Sequence, residues 1–439
     1  MGKLLDAGFS RKIIGCGTIL VPFGLFMLSI AHPDGANASG NFMSIWSTQG
    51  LVVGLGMATF FVASSQIAAT WFPKHRALAV GVVACGASIA GVIYPTMLKY
   101  TIEALGFNNA VRIVAGLVAL TSIFALFFAT PNPNHFHAQP TNWLSVKTWI
   151  DPDAFRNKSF CWFTASIAFL FLGFYPVFFN LEEWAAVKGF GTRDGSRVPL
   201  RVNVVSSKPL QTFWLLTITN GASTFGRLFL AAFGDALGAL NMHYMTTFIC
   251  SILIYTLWTL ADSLTVALCF CVFFGIFSGA VIGLPPASVA NILECTYTEK
   301  DEQDQDIGKQ KLGQWTGMMY SMASIPALCG PLIAGHLVST YNTYLTVQLW
   351  SGTSLLLSTV CMLVARWYLP LRNGDHVRSV LPILRRNYRR DGNPQLLDPS
   401  SSSFVTSAAS KNASSSALNE KVETVDPPAR AHVGSENTV

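Results

Sequence analysis

Apolar runs of about twenty residues, parted by short polar stretches, recur along the chain from Ile13 to the region of Tyr368. A helical run of that length is about 30 Å long and crosses the hydrocarbon layer of a bilayer. Ten such spans are predicted, at 13–32, 46–69, 78–98, 110–130, 160–181, 212–233, 243–261, 264–290, 314–337 and 343–368. The sixth differs from the others, because Asn220, Ser223, Thr224 and Arg227 fall at i, i+3, i+4 and i+7 and draw a polar stripe down one helix face. Composition agrees with the pattern: 51% of residues are hydrophobic and 12% are charged, which excludes an ordinary water-soluble domain. The chain reads as an all-α integral membrane protein.

Charge orients it, since Lys and Arg gather on the cytoplasmic side of a membrane. Lys3, Arg11 and Lys12 precede the first span, Lys74 and Arg76 follow the second, and Lys147, Arg156 and Lys158 lie in the long central loop. Lys300, Lys309 and Lys311 follow the eighth span, and a cluster from Arg372 to Arg390 follows the tenth. If every span crosses, all of these fall on one side. The opposite loops at 33–42, 262–263 and 338–342 carry no Lys or Arg, and the loop at 99–109 has Lys99 alone. Both termini are therefore expected in the cytoplasm, with the plasma membrane favoured over the vacuolar one. The stretch 188–211 breaks the rule with Lys188, Arg193, Arg197, Arg201 and Lys208 on the outer side. It reads either as a solvated outer insertion or, in part, as translated intron. The tail from about Asp391 is rich in Ser, Pro and Asn and is expected to be disordered.

Candidate chemistry is sparse. Nine cysteines show no Cys-x-x-Cys pair, and no His cluster has metal spacing, so neither disulfides nor a metal site are implied. No cofactor and no nucleic-acid partner are expected, and no nucleotide-binding loop supports transport driven directly by ATP. A membrane enzyme would need a His, Cys or carboxylate constellation at one face, and the sequence offers none. A central loop at 131–159 divides four spans from six. Asp235 and Gly238, between two spans of the second group, echo Asp6 and Gly8 at the opening of the chain. Repeated halves around such a loop are how many secondary transporters are built, with the substrate site between them.

Arg227 is the foremost candidate for that site. Arg at a helix centre costs roughly 2.5–3.5 kcal/mol on insertion scales, so it faces a cavity or a partner. With Asn220, Ser223 and Thr224 it suits a carboxylate, which a guanidinium grips with two parallel hydrogen bonds. The structural alternative is that Arg227 snorkels to the inner surface or pairs with Asp235. Tyr94 and Gln49 are further candidates to line the pathway, as is Gln66. Pro285 and Pro286 interrupt a helix and are open to either a gating or a packing role. Gly81, Gly86 and Gly91 read as a close-packing stripe. Arg112 reads as an interfacial anchor and His336 as a helix-end histidine.

Several stretches together resemble a known family. Gly2, Leu4, Asp6 and Arg11 look like the loop signature between the second and third spans of the major facilitator superfamily. "KLLDAGFSRK", "WFPKHRALAVGVVACGASIAGVIYP" (Trp71 to Pro95), "NGASTFGR" (Asn220 to Arg227), "FSGAVIGLPPASVANI" (Phe277 to Ile292) and "GPLIAGHL" (Gly330 to Leu337) are similar to its fungal monocarboxylate porter branch. The resemblance covers about residues 1–370 and implies a two-bundle transporter of twelve spans, of which ten, equivalent to spans three to twelve, are visible. It divides the chain into an incomplete bundle at 1–130, the loop at 131–159, a six-helix bundle at 160–370 and a cytoplasmic tail at 371–439. Two further spans are then expected upstream of Met1, and the chain by itself is expected to be unstable or inactive. The implied activity is alternating-access transport of a small organic anion or related metabolite, with proton coupling and oligomeric state left open. Animal members carry an Arg at the place of Arg227 and an Asp one turn earlier, where this chain has Ser223. The alternative is a non-transporting or sensor-like member of the same family.

Overall fold

A computed structural model describes residues 2–31, 41–72, 75–132, 142–191, 212–297 and 311–369. Most of the basic 188–211 insertion and all of the 371–439 tail lie outside them. The described chain is helical, and its elements follow the apolar runs. A short α1 (Gly2–Asp6) leads through Gly8, at φ +87°, into α2 (Ser10–Ala31). Next come α3 (Phe42–Trp71), α4 (Arg76–Leu105) and α5 (Phe107–Phe128). The central loop is more structured than a connector, holding α6 (Val146–Trp149) and α7 (Pro152–Arg156) ahead of α8 (Lys158–Val187). Then follow α9 (Phe213–Leu237), α10 (Ala239–Trp258), α11 (Leu264–Gly283), α12 (Pro285–Thr296), α13 (Leu312–Tyr341) and α14 (Leu345–Trp367).

Local chemistry sets the breaks. Asn157 accepts the Phe160 N–H at 3.0 Å to start α8. The predicted eighth span divides at Leu284: α11 stops at Gly283, and Pro285, which lacks an N–H to lose, opens α12. Gly238, at φ +94°, makes the sharp link from α9 to α10. Nine of the described helices are long and apolar enough to cross a membrane. The remaining predicted span, the sixth, is α9, which misses that count because Thr217, Thr219, Asn220, Ser223, Thr224 and Arg227 dilute its apolar residues. At 25 residues it is still about 37 Å long, enough to cross.

Two packing groups repeat one another. In the first half α2 lies along α5 and α3, and in the second α10 lies along α14 and α11. Helix α8 packs on α13 and α14 around buried Phe160, Phe163, Phe174, Trp184, Trp258 and Phe270. Helix α9 is sandwiched between α4 and α11, joining the two halves. Its approach to α11 depends on Gly226, Gly275 and Gly279: a Cβ at Gly226 would collide with the Ile276 carbonyl, and one at Gly275 would stand 2.5 Å from the Thr219 oxygen.

Candidate functional site

The stripe predicted on α9 is real, and it faces α4. Asn220 lies against Gly91, where an added Cβ would stand 2.9 Å from the amide carbon. One turn on, Ser223 and Ser88 share a hydrogen bond of 2.5 Å between their hydroxyls. The Thr224 carbonyl accepts from the Cys85 thiol at 3.5 Å, and the Arg227 guanidinium donates to the Ala84 carbonyl. Gly81 faces the Arg227 backbone. Small residues on α4 thus receive Asn220, Ser223, the Thr224 carbonyl and Arg227. The expectation that Gly81 and Gly91 admit a close neighbour holds, whereas Gly86 faces open space.

This geometry corrects one alternative. Arg227 does not pair with Asp235, which is engaged elsewhere. The Arg227 Nε is buried without a hydrogen-bond partner, a costly arrangement away from water. No Asp or Glu lies in the central turns of the described spans. Tyr94 sits half-buried on α4, three residues beyond Gly91. Gln49 is not part of this seam: it stands exposed on a π-helical stretch of α3 (Trp46–Val53) that packs on α2. Arg112 donates to Ser29 at 3.3 Å and Asn109 at 3.2 Å, tying α5 to α2. His336 is exposed on α13, 3.4 Å from the Thr340 hydroxyl.

The echo between Asp6 and Asp235 is a structural one. Asp6 accepts the Gly313 and Gln314 N–H groups at 2.9 and 2.8 Å, at the first turn of α13. Asp235 accepts the Ala77 and Leu78 N–H groups at 2.8 and 3.0 Å, at the first turn of α4. Each carboxylate therefore satisfies helix-start donors and the positive end of a helix dipole in the other half of the chain. Ion pairs reinforce both starts: Arg76 with Glu294 at 2.6 Å, and Lys311 with Asp151 at 2.9 Å. Burial by itself would raise the Asp151 carboxyl, but the Trp315 and Lys311 contacts outweigh it and hold it below its usual range.

Asp6 behaves differently. Burial pushes its carboxyl up to about 7, against the opposing pull of the Gln314 and Gly313 N–H groups, Lys3 and the Gln66 side chain. An acid with a raised value in the capped state, against about 3.9 in water, binds its proton more tightly when capped. Capping by Asp6 is therefore most favoured below about pH 4 and weakens as pH rises through about 7. Because transport needs this end to close, flux should fall between pH 5 and 8 as the cap weakens, and Asp6→Asn should flatten the profile. Identical profiles for variant and parent would contradict this.

A profile of the Major Facilitator Superfamily matches residues 1–295. The "MFS-type transporter 1" of an Ophiocordyceps species is 29% identical over 83% of this chain and 72% of its own. An aspyridones efflux protein of Emericella nidulans is 26% identical over 82% of this chain and 64% of its own. An agnestins efflux protein of Paecilomyces divaricatus is 27% identical over 86% of this chain and 76% of its own. Among solved structures, the E. coli fucose:proton symporter aligns with a TM-score of 0.57 at 12% identity, covering 84% of this chain and 86% of its own. The human organic anion transporter MFSD10 aligns equally well, at 0.57 and 14% identity, covering 82% and 79%. At such identities the likeness is one of fold. The curated relatives are named as general or efflux transporters, so they do not carry the narrower monocarboxylate reading.

Proposed function

The chain belongs to the Major Facilitator Superfamily, and from that premise we propose that it is a secondary transporter exporting a small organic solute by alternating access. It is not an enzyme. The observation that carries the mechanism is the pair of carboxylate caps. Asp6 and Asp235 each reach across to the first turn of a helix in the other half, on the same end as the Arg76–Glu294 and Lys311–Asp151 pairs. Such a cross-tied end is a closed gate: breaking four backbone contacts and the Arg76–Glu294 ion pair frees the halves to part there. With the termini on the cytoplasmic side, as the Lys and Arg distribution suggests, this state is closed to the cytoplasm.

Export is favoured by the efflux proteins among the relatives. Arg227 fits a role in the cycle, because its unpartnered Nε sits at the α4–α9 seam that must rearrange as the halves move. A solute oxygen reaching that donor in the open state would relieve it, whereas a mid-span carboxylate partner for proton coupling has no counterpart in Ser223. A transporter-deficient yeast expressing the full-length protein and loaded with a panel of aromatic and carboxylate solutes should retain less of at least one than the vector control. Arg227→Lys keeps the charge but loses the planar fork, and should restore retention at equal surface expression. Equal retention of every solute by parent and vector would contradict the proposal.

A further inference from the structure

A different group of side chains, unused by the gate, lies where α3, α8 and α13 meet. The Phe61 ring of α3 meets the Tyr320 ring of α13 edge-on, with centroids 5.1 Å apart. Tyr320 is nearly parallel to Phe171 of α8, at 6.3 Å and 10°, and Phe171 contacts Tyr175 at 5.3 Å. Three helices from both halves thus present one continuous aromatic surface. It is not sealed, since Phe61 is 48% exposed. Yet the Tyr320 hydroxyl is buried and has no hydrogen-bond partner among the described residues. An orphaned phenol costs free energy that core packing does not require, because a Phe would fill the same space. Helices α3 and α13 carry no Asp, Glu, Lys or Arg between their ends, so nothing here selects by charge.

Resting on the transport reading above, we propose that Phe61, Phe171, Tyr175 and Tyr320 form the subsite for the body of the solute, a planar aromatic ring system bearing a hydroxyl or carbonyl. The rings of Phe61 and Tyr175 take its faces and edges, where offset and edge-on contacts are favourable. The Tyr320 hydroxyl exchanges a hydrogen bond with the oxygen substituent. Because the surface is shared between α3 on one side and α8 and α13 on the other, a solute held there touches both halves as they move.

The test uses full-length protein in lipid nanodiscs, with β-naphthol as probe, its saturated analogue decahydro-β-naphthol as comparator, and empty nanodiscs subtracted. The parent should bind β-naphthol at least roughly fivefold more tightly than the saturated alcohol. Tyr320→Phe, which deletes one oxygen, should weaken β-naphthol roughly three- to tenfold, and Phe61→Ala should weaken it by a similar factor while also erasing the preference for the aromatic ring. Absent binding by the parent, equal affinity for the two probes, or parent-like binding by both variants would overturn the subsite. The same preparations in liposomes separate the two readings. Variant-sensitive binding without any flux supports the subsite and sinks the transport reading, whereas flux with variant-insensitive binding does the reverse.

Discussion

Replacing both Asp6 and Asp235 by alanine should abolish solute flux by the full-length protein while leaving it folded. Each substitution strands two helix-start N–H groups, at about 1–2 kcal/mol per site. The sites belong to different helices and share no partner, so their effects should add to about 3 kcal/mol. That is a shift of roughly 150-fold in the population of the closed state, enough to hold a transporter open at one end. Single substitutions should each slow flux roughly tenfold. The thermal midpoint in detergent would move little, because the spans themselves are held by buried packing around Phe160, Trp184, Trp258 and Trp315. A double variant that transports like the parent would mean that the caps only terminate helices.

Gly226→Val should be more severe and of a different kind. The Gly226 Cα faces the Ile276 backbone on α11, and a side chain there meets a carbonyl that belongs to another helix and cannot swing aside. The helices must separate along the seam fixed by Gly275 and Gly279, which costs well over about 3 kcal/mol once the lost contacts are included. Loss of monodisperse protein on size-exclusion chromatography is expected. Gly86→Val, at a glycine with open space around it, should be tolerated and serves as the comparison. Comparable recovery of the two variants would contradict the close α9–α11 approach.

The spans were legible because burial in lipid demands long apolar runs, and such runs leave a plain signal in the residue order. The polar stripe of α9 was legible for the related reason that i, i+3, i+4 and i+7 share a face whatever they face. Its partner was not. Nothing in Asn220 or Ser223 says that Gly91 and Ser88 stand opposite, since that depends on how two distant helices cross. The Asp6–Asp235 echo was visible as a repeat of residue types, but the role of each carboxylate, capping a helix more than 150 residues away, is a tertiary fact. The seam between α9 and α11 did leave a signal in Gly275-x-x-x-Gly279, a spacing that marks close helix approach. The aromatic cluster left none: Phe61, Tyr175 and Tyr320 look like ordinary apolar-span residues until three helices bring them together. The π-helical stretch that carries Gln49 was equally silent, because it changes register without a change in composition.

Alternating access makes a claim that no channel or static receptor can imitate, and trans-stimulation in proteoliposomes measures it. Full-length protein is reconstituted, a labelled solute identified by the yeast panel is loaded inside, and its exit is followed with and without unlabelled solute outside. Exit should saturate with internal concentration, accelerate severalfold when solute is present on the far side, and disappear with the Asp6→Ala, Asp235→Ala pair. Exit that rises linearly with concentration, ignores solute on the other side and survives loss of both caps would contradict the account.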